Sequence, residues 1–287
     1  MLFAHFTNFE FMIEGKRAVE KSKHLSVIVD QITIASEYLE RNVLLDVYLP
    51  SGVFPSEPVS LLLLNDGQDL EAINFRQLLH TLYMDGNIEP LFCIGLHCGP
   101  DRKNEYGTAC QPDYKGWGAK AGLYTKFIFD ELLPYIRKKY HINSFKEKSF
   151  AGFSLGGLSA FDIVWNNPSQ FSKVGIFSGS LWWRRRGYDD GYNDERDRIM
   201  HLQVRKGGFF PWLKFYLQTG QLDETADRNN NGIIDSIDDA LDMILALKVK
   251  GYTDEHIRYR ELADGRHTVE TWAKALPDFL KWGWKKG

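Results

Sequence analysis

Residues Ser149–Ala160 read SFAGFSLGGLSA. The stretch opens with a short, largely apolar run typical of a buried strand, and a helix-like stretch, Leu158–Asn166, follows it. Between them stands the pattern Gly152-x-Ser154-x-Gly156. When a strand turns sharply into a helix, glycines at these positions allow the close approach, and the turn lifts the serine hydroxyl above the sheet. The pattern predicts a nucleophile elbow at Ser154, and its alternative is a tight turn with an idle serine.

Buried apolar runs recur before and after this elbow. They predict strands at Val59–Asn65, Leu91–His97, Lys173–Phe177 and Leu213–Thr219, with a last strand at Ile257–Leu262. Two earlier segments, Ser26–Ser36 and Asn42–Leu49, alternate in part between apolar and polar residues, as half-exposed antiparallel strands do. Helices are predicted at Lys120–Tyr140, Leu158–Asn166, Asp238–Lys250 and Thr268–Trp284, with a proline kink in the first. This order predicts an α/β fold with a mostly parallel central sheet, antiparallel N-terminal strands and helices on both faces.

The composition is that of an ordinary folded protein: 287 residues, 44% hydrophobic, 25% charged and a net charge of -3. This near-neutral charge argues against bulk binding of nucleic acid or of an anionic membrane. No apolar run is long enough to span a bilayer, and three cysteines cannot form a disulfide framework. No linker divides the chain, so we expect one domain at 25–287 after an extension at 1–24. The N-terminus does not read as a signal peptide, which predicts a cytoplasmic location. The oligomeric state stays open.

A nucleophilic serine requires a base and an orienting acid, which follow it in chain order in this type of fold. His267 lies in a glycine-containing loop after the last predicted strand, at the carboxyl edge of the sheet, and is the predicted base. His201 and His256 do not follow the carboxyl end of a predicted strand. The predicted acid follows the strand Leu213–Thr219. Asp223 is favoured by its placement three residues after a glycine, and its neighbour Glu224 remains an alternative.

An oxyanion hole requires two backbone N–H groups. One belongs to the residue after the nucleophile, Leu155, and the other is expected from the loop after the third strand. That loop reads Asn65-Asp66-Gly67-Gln68-Asp69, in which the glycine permits a turn that aims the Gln68 N–H at the serine. An ordinary Asp-Gly turn is the alternative.

Four segments, taken in order and spacing, resemble a known family. They are LLLLNDGQ (61–68), GFSLGGLSA (152–160), FYLQTGQLDE (215–224) and DGRHTVETW (264–272). Together with RKNEYGTACQPDYKGWGAKAG and FIFDELLPYIRKKY, they are similar to the esterase family of the α/β-hydrolase fold. This family includes enterochelin-esterase-like proteins, feruloyl and acetylxylan esterases, S-formylglutathione hydrolases and mycolyltransferases. The resemblance covers nearly the whole chain from residue 25.

The resemblance implies a serine carboxylic-ester hydrolase. Its nucleophile would be Ser154, its base His267 and its acid the residue matching Asp223, with Gln68 and Leu155 as the oxyanion donors. The expected partner is a small-molecule ester of a sugar, a siderophore or an aryl acid, with no cofactor for catalysis. An acyltransferase with the same triad and a non-catalytic binding module are the alternatives.

A second motif, DRNNNGIIDSID (227–238), has the spacing of an EF-hand loop. Oxygen ligands for a structural calcium are expected from Asp227, Asn229, Asn231, Ile233, Asp235 and Asp238. Gly232 falls where such loops bend sharply. The motif also resembles a dockerin loop, which ends in Asp instead of Glu. The alternative is an Asn- and Gly-rich turn whose acids cap a helix.

Three tryptophans are candidates for the substrate pocket. Trp182 and Trp183 follow the strand Lys173–Phe177 and precede a run of three arginines, an arrangement that favours an aromatic or acidic substrate. Trp117 lies in the loop before the long predicted helix. The alternative for the tryptophan pair is packing against the helical layer.

Overall fold

The structure, a computed structural model, describes residues 25–51 and 59–286. The predicted extension at 1–24 lies outside the described residues. The strands are β1 (Val27–Ser36), β2 (Arg41–Pro50), β3 (Ser60–Asn65), β4 (Leu91–Leu96), β5 (Lys148–Phe153), β6 (Lys173–Phe177), β7 (Lys214–Leu222) and β8 (Ile257–Arg266). They form one sheet in the order β1-β2-β4-β3-β5-β6-β7-β8.

The sheet is antiparallel at one edge and parallel elsewhere. Strand β2 runs antiparallel to both β1 and β4, and the pairs from β4 through β3 to β8 are all parallel. The α/β fold with antiparallel N-terminal strands is therefore confirmed. Because the parallel strands end at the same edge, the loops after β3, β5, β6, β7 and β8 gather there.

Helices cover both faces of this sheet. They are α1 (Phe75–Met84), α2 (Arg102–Glu105), α3 (Ala121–Lys126), α4 (Leu133–Lys139), α5 (Leu155–Asn166), α6 (Asp194–Asp197), α7 (Ile199–Lys206), α8 (Asp235–Lys250) and α9 (Val269–Trp284). Buried side chains of α1 and α9 pack on one face, and those of α3, α4, α5, α7 and α8 pack on the other. None of the helices described by the structure is both long enough and apolar enough to cross a membrane.

The long helix predicted at Lys120–Tyr140 is present with an irregular centre. It consists of α3, a π-helical segment Phe127–Leu132, and α4. Pro134 has no N–H to donate to the preceding turn, so the helix widens just before the proline. The expected irregularity at the proline is therefore a π-helical segment.

Two predicted helix starts were too late. Helix α5 begins at Leu155, because the turn leaves only Ser154 between the end of β5 and the helix. Helix α8 begins at Asp235 instead of Asp238, since the Glu224 carboxylate accepts the Ser236 N–H and satisfies one of the unpaired donors of the first turn.

The three cysteines are free, as predicted.

Candidate active site

Ser154 has a strained backbone between β5 and α5. Its φ is 54° and its ψ is -121°, a conformation that non-glycine residues rarely adopt. A Cβ at Gly152 would lie 2.4 Å from the Gly156 carbonyl oxygen, so only glycine allows this turn. The Ser154 N–H donates to the Phe177 carbonyl at the end of β6, at 2.8 Å. The neighbouring strand therefore holds the serine in its strained position.

The structure brings His267 to the serine. Its Nε2 lies 2.8 Å from Ser154 Oγ across 113 residues of sequence. The imidazole lies edge-on to the Trp272 ring, with ring centroids 5.5 Å apart. His267 is exposed and Ser154 is partly exposed, so a substrate can reach both side chains. The two predicted residues thus meet in the geometry of a nucleophile and its base.

Trp272 is a part of the site that the sequence analysis did not assign. Its ring stacks on Phe153 at 4.9 Å, with 12° between the ring planes, and its indole N–H donates to Ser178 Oγ at 3.1 Å. This single side chain, in the first turn of α9, contacts the base and the residue before the nucleophile. The only sequence signal was its position in the DGRHTVETW segment.

The carboxylate predicted as the third member is nearby but does not contact the imidazole. Leu222 of β7 pairs in register with Arg266 of β8, so Asp223 follows beside His267. However, Asp223 Oδ2 accepts the Gly220 N–H at 3.1 Å, and Oδ1 is buried without a partner. Among the described residues, no carboxylate oxygen lies within 4.0 Å of a His267 ring nitrogen.

The alternative acid, Glu224, is engaged elsewhere. Its Oε1 accepts the Ser236 N–H at 2.7 Å, and burial raises the pKa of this carboxyl. Of the two acids, Asp223 is therefore the one with an unpartnered oxygen beside the base.

The expected oxyanion donors lie in the turn after β3 and at the start of α5. Gln68 lies in a single 3-10 turn, Gly67–Asp69, directly after β3, and Leu155 is the first residue of α5. Neither backbone N–H donates a hydrogen bond within the part of the chain that the structure describes. A Cβ at Gly67 would lie 2.5 Å from the Gly95 carbonyl carbon, so the turn depends on the close approach that glycine allows.

The predicted tryptophan pair divides between core and surface. Trp183 is fully buried, and its indole fills the space beside Gly107 and Gly118, so its assignment to substrate binding was wrong. Trp182 is partly exposed, with the Arg184 guanidinium 5.7 Å from its ring centroid. Of these two neighbouring rings, one therefore packs in the core and the other is accessible.

Trp117 is also partly exposed, beside two lysines. The Lys103 and Lys115 ammonium groups lie 4.6 and 5.0 Å from its ring centroid. Trp117 and Trp182 remain predictions as substrate contacts.

The loop predicted to bind calcium closes on itself through hydrogen bonds. Asp238 Oδ2 accepts the side-chain N–H groups of Asn229 and Asn231 at 2.8 and 2.9 Å. Asp227 accepts the backbone N–H groups of Asn231 and Gly232. Four of the expected ligand side chains thus lie together. The Asn229 and Asn231 amides, however, direct their nitrogens and not their oxygens toward the Asp238 carboxylate.

Asp235 departs from the expected ligand set. Its Oδ1 accepts the Arg228 N–H at 2.8 Å and lies 3.2 Å from that guanidinium. The arginine therefore draws this carboxylate out of the loop. Among the described residues no three His, Cys, Asp or Glu side chains gather as a metal-binding group. Calcium binding stays a prediction.

Comparison with known proteins identifies the family to which this chain belongs. Residues 36–282 match the family model Esterase, described as "Putative esterase". The chain belongs to this family. The α/β-hydrolase fold and ester hydrolysis by an enzyme follow from membership.

The individual proteins that resemble this chain are distant from it in sequence. A protein of Bacillus subtilis, YbbA, described as uncharacterized, is 22% identical over 86% of this chain and 94% of its own length. A solved ferulic acid esterase superposes with a TM-score of 0.68 at 19% identity, covering 90% of this chain and 98% of that one. The enterobactin esterase FES of Shigella flexneri gives 0.65 at 19% identity over 91% of this chain, which spans 60% of that longer protein.

Proposed function

We propose that this esterase hydrolyses carboxylic esters through an acyl-enzyme on Ser154. The observation that carries the proposal is the 2.8 Å approach of His267 Nε2 to Ser154 Oγ on a strained elbow. His267 takes the hydroxyl proton as Ser154 attacks the ester carbonyl, then returns it to the departing alkoxide. It next activates a water molecule that releases the acid and regenerates the serine.

Three further groups are proposed to stabilise the charges that this reaction creates. The Gln68 and Leu155 N–H groups receive the negative oxygen of the tetrahedral intermediate, each contributing about 3 kcal/mol. Asp223 is proposed as the acid that stabilises the imidazolium. Contact with His267 requires this side chain to move, and its buried, unpartnered Oδ1 is the oxygen available for the contact.

Hydrolysis is favoured over acyl transfer by the exposure of the site. An acyltransferase must keep water from its acyl-enzyme while an acceptor alcohol attacks. Here the imidazole of His267 is exposed and Ser154 is partly exposed, so water reaches the acyl carbon.

The surroundings favour an ester that carries aromatic and acidic groups. The loop after β6 is tied to the nucleophile through the Ser180 N–H, which donates to the Ser154 carbonyl at 3.1 Å, and Trp182 follows two residues later. The ring of Trp182 offers a stacking surface, and the ring of Trp117 with its two lysines offers stacking and positive charge together. Arg184, next to Trp182, is buried against the Tyr188 ring. The names of the two solved esterases refer to ferulic acid and enterobactin, so esters of these kinds are the first compounds to test. We propose an aryl or siderophore ester, with a sugar as a further candidate for the alcohol.

The test is ester hydrolysis by the wild type and by Ser154→Ala. Methyl ferulate, enterobactin and p-nitrophenyl esters of increasing chain length form the panel, and a fluorophosphonate probe reports on the serine. We expect turnover and labelling in the wild type, and neither in a variant with an unchanged melting temperature. A wild type that neither turns over an ester nor reacts with the probe would refute the proposal.

A further inference from the structure

Asp66 occupies an unusual position at the end of β3. It is only 1% exposed, although carboxylates are rarely buried, and its φ of 60° places a non-glycine residue in the left-handed region. The 3-10 turn that carries Gln68 begins with the next residue. The direction of the Gln68 N–H therefore depends on what holds Asp66.

The Arg102 guanidinium holds Asp66 with two hydrogen bonds. Nε donates to Oδ1 and Nη2 donates to Oδ2, both at 2.7 Å. Nη2 also donates to the Phe153 carbonyl at 3.4 Å. Asp66 lies two residues before Gln68, and Phe153 lies two residues before Leu155. One guanidinium thus connects the residue before the Gln68 turn to the last residue of β5, two positions before Leu155.

Other contacts fix the same carboxylate. A Cβ at Gly156 would lie 2.4 Å from Asp66 Oδ2, so the carboxylate packs against the first turn of α5. Gln68 Nε2 donates to Asp66 Oδ1 at 3.3 Å, and the Asp66 N–H donates to the Tyr106 hydroxyl at 3.3 Å. Arg102 lies over the Tyr106 ring, with its guanidinium carbon 5.1 Å from the ring centroid.

We propose that the Asp66–Arg102 ion pair positions the two N–H donors of the oxyanion hole. This inference rests on the proposed esterase function. Neither residue hydrogen-bonds Ser154 or His267 among the described residues, so both are positioning residues that act through Gln68 and Leu155. A bidentate guanidinium–carboxylate pair fixes both distance and orientation, which a lysine cannot reproduce.

The chain offers a matched control in the same segment. Glu105, three residues after Arg102 and 1% exposed, accepts two hydrogen bonds from Arg41 of β2 at 2.7 and 2.6 Å. This pair is as buried and as well formed as the first, but it joins α2 to β2 instead of the oxyanion loop. Substitutions in the two pairs should destabilise the fold similarly and differ in their effect on the reaction.

The experiment compares Asp66→Asn and Arg102→Lys with Glu105→Gln and Arg41→Lys. For each variant, kcat and KM are measured with p-nitrophenyl acetate, the inhibition constant with phenylboronic acid, and the melting temperature. The boronate forms a tetrahedral anion on the serine and so reports on the oxyanion hole. Loss of one oxyanion donor costs about 10²- to 10³-fold in kcat. For misplaced donors we expect a fall of about 10- to 100-fold in kcat and a similar weakening of boronate binding, with KM changed less than about threefold.

The outcomes separate this inference from the proposed function. Support requires that the Glu105 and Arg41 variants keep kcat and boronate affinity within about threefold of the wild type, even where they melt earlier. Unchanged kcat in Asp66→Asn and Arg102→Lys would overturn the inference, and so would an equal fall in all four variants. A wild type without turnover or fluorophosphonate labelling would remove the proposed function and this inference with it.

Discussion

The Trp272 indole stacks on the Phe153 ring at a centroid distance of 4.9 Å, and the same indole lies nearly perpendicular to the His267 ring, with centroids 5.5 Å apart. The closing helix α9 is thereby attached to the strand that ends at the nucleophile. His267 itself lies on an exposed loop, where a side chain would otherwise sample several rotamers. The contact therefore explains how a solvent-exposed base is kept in reach of Ser154.

Replacement of Trp272 should lower activity and stability together. Trp272→Leu removes the stack and the indole N–H that reaches Ser178 Oγ, and for this buried ring we expect a loss of about 3 kcal/mol in unfolding free energy. A fall of about tenfold in kcat should accompany it. Trp272→Phe keeps the stack and loses only the hydrogen bond, which contributes about 1 kcal/mol. Urea unfolding and ester hydrolysis measure both effects, and equal kcat in wild type and Trp272→Leu would contradict the role in holding His267.

Substitution of the base should abolish turnover. In His267→Gln the amide cannot accept the serine proton, so kcat should fall by at least about 10³-fold, as in other enzymes that lose one member of a catalytic triad. His256→Gln is the control, because that imidazole lies just before β8, at the opposite end of the strand from His267, and contacts the Pro211 carbonyl at 3.1 Å. A comparable loss in the control would indicate that the assay reports folding instead of chemistry.

Substitutions of the two acids after β7, Asp223 and Glu224, should differ in their effect on kcat. Asp223→Asn should lower kcat by about 10²- to 10⁴-fold, since the imidazolium loses its stabilising charge. Glu224→Gln keeps an oxygen for the Ser236 N–H and should leave kcat nearly unchanged. Activity in Asp223→Asn equal to that of the wild type would mean that His267 works without this acid, in agreement with the absence of a carboxylate within 4.0 Å of it among the described residues.

The sequence predicted those features that depend on short-range pattern. The G-x-S-x-G turn at Ser154 was placed correctly because its glycines are visible in sequence. His267 follows the last strand as predicted, but that strand continues to Arg266, four residues beyond its predicted end at Leu262. The sequence left open whether Trp183 packs in the core, because its burial depends on Gly107 and Gly118, about 70 residues away, which leave room for the ring.

Pairings between distant segments explain what else was missed. Nothing local to Arg102 indicates that it binds Asp66, because two charged residues 36 positions apart meet only after β3 and α2 have packed. Likewise, the hydrogen bond of Asp223 to the Gly220 N–H follows from the bulge between β7 and β8, a detail of register. The position of Asp223 after a strand end predicted that it lies near His267, but the sequence did not predict the direction of its side chain.

Calcium should raise the melting temperature if the 227–238 loop binds it. Binding requires the Asn229 and Asn231 amides to turn their oxygens inward and release Asp238, which they now contact through nitrogen. At 100 times the dissociation constant a ligand stabilises by about 2.7 kcal/mol, which for a chain of this size is roughly 5–10 °C. The shift should appear with CaCl2, vanish with EGTA, and be absent in Asp238→Ala. A melting temperature indifferent to calcium and chelator would leave the helix-capping turn as the loop's role.

Stability should depend on pH through Asp162, which is buried in α5. Its Oδ2 accepts the Ala109 N–H at 2.9 Å and its Oδ1 accepts the Gln203 side-chain N–H at 2.7 Å, so it joins α5 to the loop after α2 and to α7. Burial raises the pKa of this carboxyl from 3.8 to about 6. Because the folded state favours the neutral acid, its stabilising contribution is complete below pH 3.8 and is lost as the pH rises through 6. The whole effect is about 3 kcal/mol.

Asp162→Asn isolates this contribution, since an amide stays neutral at every pH. The unfolding free energy of the variant, relative to the wild type, should rise by about 2 kcal/mol between pH 4.5 and pH 7.5. Urea unfolding at the two pH values gives the difference directly. Asp254→Asn, at a side chain 87% exposed, is the control for the substitution itself. A relative stability of Asp162→Asn that stays constant across this range would show that the buried carboxyl ionises as readily in the folded chain as in the unfolded one, with its three donors compensating the loss of water.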